Sequence, residues 1–93
     1  MELEDYVIEE LEIELPGEYG EENSYVINLL DSENYAKVFS LLEKNENLNL
    51  MEDNQVITNE GSSLIYMDDD YNIMINLISD WEGEIFQLII TQL

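Results

Sequence analysis

The sequence predicts an α+β fold in which a mostly antiparallel sheet of about five to seven short strands packs against one main helix near residues 32–45. Two observations support this prediction. The second half of the chain consists of short apolar segments separated by turn residues, which is typical of an antiparallel meander. Residues 32–45 place their apolar side chains on one broad face at helical spacing. With 93 residues, the chain has the length of a single domain, residues 1–93.

The N-terminal part is predicted to contain a short helix followed by a hairpin. Residues 2–9 form the helix. Residues 10–15 alternate strictly between glutamate and an apolar side chain, which predicts a β-strand with its three glutamates on one face. Pro16 and Gly17 predict the turn that ends this strand. Residues 25–30 are then the second strand and hairpin partner.

The main helix and the meander follow. Asp31 and Ser32 are typical N-cap residues, so we expect the helix to begin there and to end near Asn45. The last apolar segment is hydrophobic on both faces, which predicts a central strand. The five short apolar segments of the meander are residues 48–51, 55–58, 64–67, 71–78 and 84–92.

The charge of the chain is its most unusual property. There are 23 Asp and Glu residues against two lysines, Lys37 and Lys44, with no Arg and no His, so the net charge is −21. Soluble domains normally mix both signs on their surface. Since 45% of the residues are hydrophobic, the chain is too apolar for a disordered acidic tail. We therefore expect a folded protein that nucleic acids and anionic membranes repel and that basic protein surfaces attract.

The composition argues against an enzyme, a cofactor and a metal site. Without His or Cys the chain lacks the commonest general base, the thiolate nucleophile and most transition-metal ligands. Asp68, Asp70 and Asn72 have the spacing that opens a calcium-binding loop, but Ile73 stands where the loop needs glycine and Ser79 where it needs glutamate. We interpret this segment as a polar hairpin turn.

The acids themselves are the candidate binding residues. On a strand, Glu10, Glu12 and Glu14 would be spaced by about 6.7 Å, similar to successive phosphates of a nucleic acid. We also expect the acidic turns at 68–70 and 80–84 to lie at one end of the sheet. Trp81 fits two interpretations equally, an exposed interface anchor or a core residue folded over the sheet edge. The predicted partner-binding residues are Glu10, Glu12, Glu14, Glu18, Tyr19, Glu21, Glu22, Asp68, Asp69, Asp70, Asp80, Trp81 and Glu82.

In its size, its missing Arg and Cys and its acid-studded α+β pattern, the chain resembles small acidic inhibitors carried by phages and mobile elements. These include DNA-mimicking anti-CRISPR proteins, anti-restriction proteins and uracil-DNA glycosylase inhibitors. The resemblance covers overall character and no aligned motif. It implies a non-enzymatic inhibitor that occupies the cationic DNA-binding or PAM-reading cleft of a CRISPR effector or another nuclease, with the anti-CRISPR class favoured.

Other functions fit the same composition. The first alternative is an immunity protein or antitoxin that neutralises a basic nuclease toxin. A histone-binding module and a calcium-responsive or salt-adapted housekeeping domain are further alternatives. Like-charge repulsion through the acidic face predicts a monomer. The acidic N-terminus and the absence of a long apolar run predict a cytoplasmic protein without a membrane span.

Overall fold

A computed structural model describes residues 2–93 and has the predicted α+β architecture. Helix α1 spans Leu3–Glu9 and helix α2 spans Ser32–Lys44. The seven strands form one antiparallel sheet. They are β1 (Gly17–Tyr19), β2 (Ser24–Asn28), β3 (Asn49–Leu50), β4 (Val56–Ile57), β5 (Gly61–Asp68), β6 (Ile73–Asp80) and β7 (Ile85–Gln92), with a single 3₁₀ turn at Glu52–Asn54.

Helix α2 begins and ends as the sequence predicts. The Asp31 carboxylate accepts a hydrogen bond of 2.8 Å from the backbone N–H of Asn34, which confirms Asp31 as the N-cap. Lys44 is the last helical residue, one position before the predicted end. Val38 and Leu42 are buried against the sheet.

The sheet has the order β1-β2-β7-β6-β5-β3, and β4 pairs with β5 along the same edge as β3. The prediction of a central last strand is therefore confirmed, because β7 lies between β2 and β6. Both helices contact β7. Alternate residues of the strands are fully buried beneath the helices, including Ile27, Ile75, Leu77, Leu88 and Ile90.

The opposite face of the sheet carries no helix. We call it the open face, and it consists of the residues that alternate with the buried ones in β2, β5, β6 and β7. Its central side chains, such as Ile65, Met74, Asn76 and Ile89, are partly exposed. The sheet therefore has one side that forms the core and one side that lacks any cover from its own chain.

The predicted strand at residues 10–15 is wrong. The segment forms no strand; instead, the backbone N–H of Leu11 and of Ile13 bond to carbonyls of α1, and Asn45 donates to the Glu10 carbonyl. Glu12 adopts a left-handed φ of 59°, which interrupts the extended backbone. The alternation buries two apolar side chains in the core shared with the helices, without pairing the backbone in a sheet. The regular 6.7 Å spacing of glutamates predicted from strand geometry is therefore not supported.

The first hairpin is also shifted along the chain. Pro16 and Gly17 do not form its turn, because Gly17 already begins β1. The partner of β2 is residues 17–19, and the turn falls at residues 20–23.

Within residues 2–93, no helix has the length and the hydropathy needed to cross a membrane. Helix α2 is the longer of the two and has 13 residues.

Candidate partner-binding surface

The acids are distributed unevenly over the fold. Of the 23 acidic residues, only Glu18, Asp68 and Asp80 lie within strands. The others lie on the helices, in the turns and in the connecting segment 10–15. We define the acidic side as the surface formed by α1, by residues 10–15 and by the turns at 20–23 and 69–72. It contains Glu4, Asp5, Glu9, Glu10, Glu12, Glu14, Glu21, Glu22, Asp69 and Asp70.

The connecting segment contributes exposed carboxylates even though it is not a strand. Glu12 and Glu14 are exposed, whereas the apolar residues between and beside them are buried. Glu14 shares a groove of about 500 Å³ with Glu4 of α1. Glu12 shares a second groove, of about 450 Å³, with Glu10 and with Glu46 beyond α2. The acids of this segment therefore adjoin acids of both helical regions.

Two turns extend the acidic side at one end of the sheet. Tyr71, in the β5–β6 turn, donates a hydrogen bond of 2.9 Å to the Glu10 carboxylate. The side-chain amide of Gln92 donates to the carbonyls of Tyr71 and Asn72, while its backbone N–H donates to Asn23 in the β1–β2 turn. These bonds hold Glu10 and the acids of both turns at the same end.

Tyr19 joins the first hairpin to α1. Its hydroxyl accepts a hydrogen bond from the backbone N–H of Glu4 (3.3 Å) and lies 3.4 Å from the carboxylate of Glu2, to which it donates. Its ring packs edge-on against Tyr25, with the ring centroids 4.9 Å apart. Since Tyr19 is 54% exposed, it remains accessible to a partner beside the acids.

Tyrosine hydroxyls bond several carboxylates where another protein would use Arg or Lys. Each hydroxyl donates to one carboxylate oxygen at close distance. The pairs are Tyr6–Asp68 (2.7 Å), Tyr66–Glu43 (2.8 Å) and Tyr71–Glu10 (2.9 Å). A hydroxyl donor fixes the carboxylate without cancelling its charge.

The pKa shifts of these tyrosines follow from the same contacts. Burial, followed by the hydrogen bond to Asp68, raises the pKa of Tyr6 above its usual value. Burial and the bond to Glu43 raise the pKa of Tyr66 in the same way. The hydrogen bond to its glutamate is the main cause that raises the pKa of Tyr71. All three hydroxyls therefore keep their protons at neutral pH and act as donors.

Asp68 is buried, which corrects its assignment as a partner-binding residue. Its side chain is 2% exposed and accepts hydrogen bonds from the Tyr6 hydroxyl and from the backbone N–H of Asp70. A buried charge needs such donors to offset its lost hydration. Asp68 thus anchors the β5–β6 turn to α1, while Asp69 and Asp70 are exposed.

The prediction that the two acidic turns share one end of the sheet is wrong. Asp80 ends β6, and Trp81 and Glu82 lie in the β6–β7 turn that follows, at the other end of β6 from Asp69 and Asp70. Strand β6 has eight residues, which separates the two turns by about 23 Å. The reason is topological, since consecutive hairpins of a meander turn at opposite ends.

Trp81 combines features of both interpretations. Its ring packs edge-on against Phe86 (5.3 Å between centroids) and against Tyr35 (6.0 Å). Its side chain is nevertheless 47% exposed.

Glu18, like Trp81, lies apart from the acidic side, because it is paired with Val26 and points to the open face at the sheet margin. Neither residue belongs to the acidic side.

Cations compensate little of the negative charge. Among residues 2–93 the one ion pair joins Lys37 to Glu33 at 3.7 Å, and both side chains are largely exposed. Such a pair is screened by solvent and contributes little to stability. In the same part of the chain, no three Asp or Glu side chains are grouped closely enough to hold a metal ion.

The tyrosine–carboxylate pairs were not predicted from the sequence. Tyr6 and Asp68 are 62 positions apart, so no local pattern connects them. The high tyrosine count, six residues in a chain without arginine, was the available signal.

Comparison of the chain with known protein families, with curated proteins and with solved structures finds no match in any of the three.

Proposed function

We propose that this protein is a non-enzymatic inhibitor that presents its acidic side to the cationic nucleic-acid-binding cleft of a nuclease or CRISPR effector, in the cytoplasm of the cell where that target acts. The carboxylates take the place of nucleic-acid phosphates. Arg and Lys side chains of the cleft bind them and exclude the natural substrate.

The observation that carries this proposal is how the carboxylates are held. Tyr71 donates to Glu10, and Tyr6 donates to Asp68 at the base of the turn that carries Asp69 and Asp70. The Tyr71 donor is neutral, so Glu10 is positioned while its charge stays available to a partner. The bond between Tyr6 and buried Asp68 fixes the turn that carries the exposed Asp69 and Asp70. A solubilising surface needs charge but no fixed positions, whereas a surface that replaces phosphates needs both.

Charge on this scale also acts at a distance. A net charge of −21 on a small domain steers a cationic partner toward it and accelerates encounter at low ionic strength. Tyr19, exposed beside the acids, offers the aromatic contact that lengthens the lifetime of a complex. Charge therefore mainly raises the association rate of the complex, and the aromatic contact mainly lowers its dissociation rate.

The proposal is tested by competition on purified targets of the three inhibitor classes that the sequence resembles. A guide-RNA-loaded Cas9-type nuclease, a restriction endonuclease and a uracil-DNA glycosylase are each titrated with a fluorescent cognate DNA duplex in the presence of this protein. We expect the apparent dissociation constant of the duplex to rise in proportion to the protein concentration for at least one target. The association rate of the protein with that target should fall as salt increases.

Two results would contradict the proposal. One is a ternary complex of target, duplex and this protein, because simultaneous binding is incompatible with occupation of the cleft. The other is the absence of any competition on all three targets at 50 mM salt. This concentration is about a third of the physiological value, so electrostatic binding is stronger there than under physiological conditions.

A further inference from the structure

The groove between α1 and residues 14–17 combines an apolar floor with an acidic rim. We call it the α1 groove. Its volume of about 500 Å³ lies within the range of about 300–1,000 Å³ that is typical of ligand sites. Its two acids, Glu4 and Glu14, are exposed and lie at the rim. A ligand in this groove therefore contacts carboxylates and apolar side chains together. The apolar lining consists of Val7, Ile8, Leu15, Pro16 and Tyr25.

The α1 groove differs in charge from the grooves on the other side of residues 10–15. The groove that Glu12 shares with Glu46 also contains Lys44, and a third groove, of about 340 Å³ beside α2, contains Lys37. These two residues are all the lysines of the chain, which has no Arg and no His. Within residues 2–93, the α1 groove therefore contains two carboxylates and no cation. Its charge is complementary to a cation supplied by a partner.

The acids and the apolar floor of this groove lie close to each other. Glu4 and Ile8 are four positions apart in α1, so they lie on the same side of the helix. A Cβ atom at residue 17 would come within 2.6 Å of the Tyr25 ring, so Gly17 allows this ring to pack directly against the backbone of β1. Burial and, after it, the charge of Glu4 raise the pKa of Tyr25. The negative charge of the rim therefore acts on the floor of the groove as well.

A side chain that is apolar along its length and cationic at its tip matches this lining. Arginine has such a side chain, and its planar guanidinium binds carboxylates, stacks on aromatic rings and is more weakly hydrated than an ammonium. We propose that the α1 groove binds one arginine side chain of the target protein. The arginine methylenes pack against Ile8 and Leu15. The guanidinium bonds the carboxylates of Glu4 and Glu14. This inference rests on the proposed function, because it assigns the arginine to the cationic cleft of the target.

The same lining disfavours other occupants of the α1 groove. A neutral apolar group would remove water from the rim carboxylates without supplying a charge-assisted hydrogen bond in return. An anion would be repelled by both glutamates and by the net charge of −21. A small cation without an apolar stem would leave the floor uncovered and would bind through charge alone. Of these groups, the arginine side chain is the one that contacts both the rim and the floor.

The test is an NMR titration of the isotopically labelled protein at constant ionic strength, without any target. The three probes are N-acetyl-arginine amide, methylguanidinium, which keeps the cation without the stem, and N-acetyl-norleucine amide, which keeps an apolar stem without the cation. We expect the arginine derivative to shift the backbone amides of Ile8, Leu15 and Gly17 with a dissociation constant on the order of 1 mM. Each of the other two probes should bind there about fivefold more weakly or less tightly still.

Three outcomes of this titration would overturn the proposal. Equal binding of methylguanidinium would mean that charge alone attracts the ligand. Equal binding of the norleucine derivative would assign the groove to a neutral apolar ligand. If the arginine derivative left the amides of Ile8, Leu15 and Gly17 unshifted, the groove would not be its binding site.

A matched pair of uncharged substitutions locates the contact. Ile8 and Ile85 are both 48% exposed, but Ile85 begins β7 and lies outside the α1 groove. Ile8→Ala shortens the apolar lining and should raise the dissociation constant of the arginine derivative about threefold, whereas Ile85→Ala should leave it unchanged. Since neither substitution alters the net charge, equal effects of the two would contradict the assignment. Arginine binding in the groove without competition on any nuclease target would refute the proposed function alone, so the two failures are distinguishable.

Discussion

The two faces of the sheet differ in what covers them, so neighbouring residues of one strand have different surroundings. In β7, Leu88 is fully buried beneath the helices, while the next residue, Ile89, is partly exposed on the open face. The helices cover the buried face, whereas the open face has a single acid over β2, β5, β6 and β7. Acids also lie in the β6–β7 turn and beside β4, so the negative charge is spread over several parts of the molecule but is nearly absent from the open face. A chain this acidic therefore still has a neutral surface.

The largest expected effect separates the two faces by stability. Leu88→Ala should lower the free energy of unfolding by about 2–5 kcal/mol, because it leaves a cavity in the core. Ile89→Ala, one residue further on, should cost about 1 kcal/mol or less, because its side chain already contacts solvent. Urea denaturation monitored by Trp81 fluorescence measures both. If both variants lost a similar free energy of unfolding, Ile89 would be as buried as Leu88, and the open face would not be exposed to solvent.

A second prediction concerns the bonds that position the acids. Tyr6→Phe should lower the free energy of unfolding by about 1.5–3 kcal/mol, because buried Asp68 loses a donor. Tyr71→Phe removes a similar bond from Glu10 on the surface, where water replaces the hydroxyl, and should lower the free energy of unfolding clearly less than Tyr6→Phe does. The same denaturation experiment compares the two. If Tyr6→Phe were neutral, Asp68 would not depend on its tyrosine.

The pH dependence of stability gives a third prediction. The folded state raises the pKa of Tyr6 and Tyr66 above the value of about 10 that tyrosine has when unfolded. Above pH 10 the unfolded chain therefore binds fewer protons than the folded chain, and the free energy of unfolding falls as pH rises. Each buried tyrosine should account for a loss of about 1.4 kcal/mol at pH 11, and neither should contribute a slope below about pH 9.

Chemical denaturation between pH 8 and pH 11 measures this loss. Tyr6→Phe supplies the control, because it removes one titrating group and should flatten the decline between pH 10 and pH 11. A wild-type stability that is constant or rising over that interval would contradict the assignment of protonated, hydrogen-bonded tyrosines.

The sequence predicted the elements whose signals are local. The Asp31 N-cap, the apolar face of α2 and the doubly apolar β7 each depend on residues a few positions apart, and each prediction is confirmed. The alternation at residues 10–15 is local too, but it predicts only which side chains are buried. It does not determine whether the backbone pairs in a sheet. In this segment Leu11 and Ile13 are buried next to helices, and the backbone bonds go to α1.

The candidate surface was less predictable because it depends on distant contacts. The bonds of Glu10 with Tyr71 and of Asp68 with Tyr6 join residues about 60 positions apart, for which the sequence offers no pattern. The separation of Asp69 from Asp80 is different. It follows from the predicted meander, because consecutive turns in such a sheet lie at opposite ends.

In the proposed mechanism the acidic side, and not net charge alone, binds the cationic cleft. The association rates of two triple variants with a target found by competition test this distinction. Glu12→Gln/Glu14→Gln/Asp69→Asn removes three charges from the acidic side, and Glu52→Gln/Asp53→Asn/Glu60→Gln removes the same number of charges beside β4. We predict that the first variant associates at least tenfold more slowly than the second at low salt. Equal association rates would contradict the account.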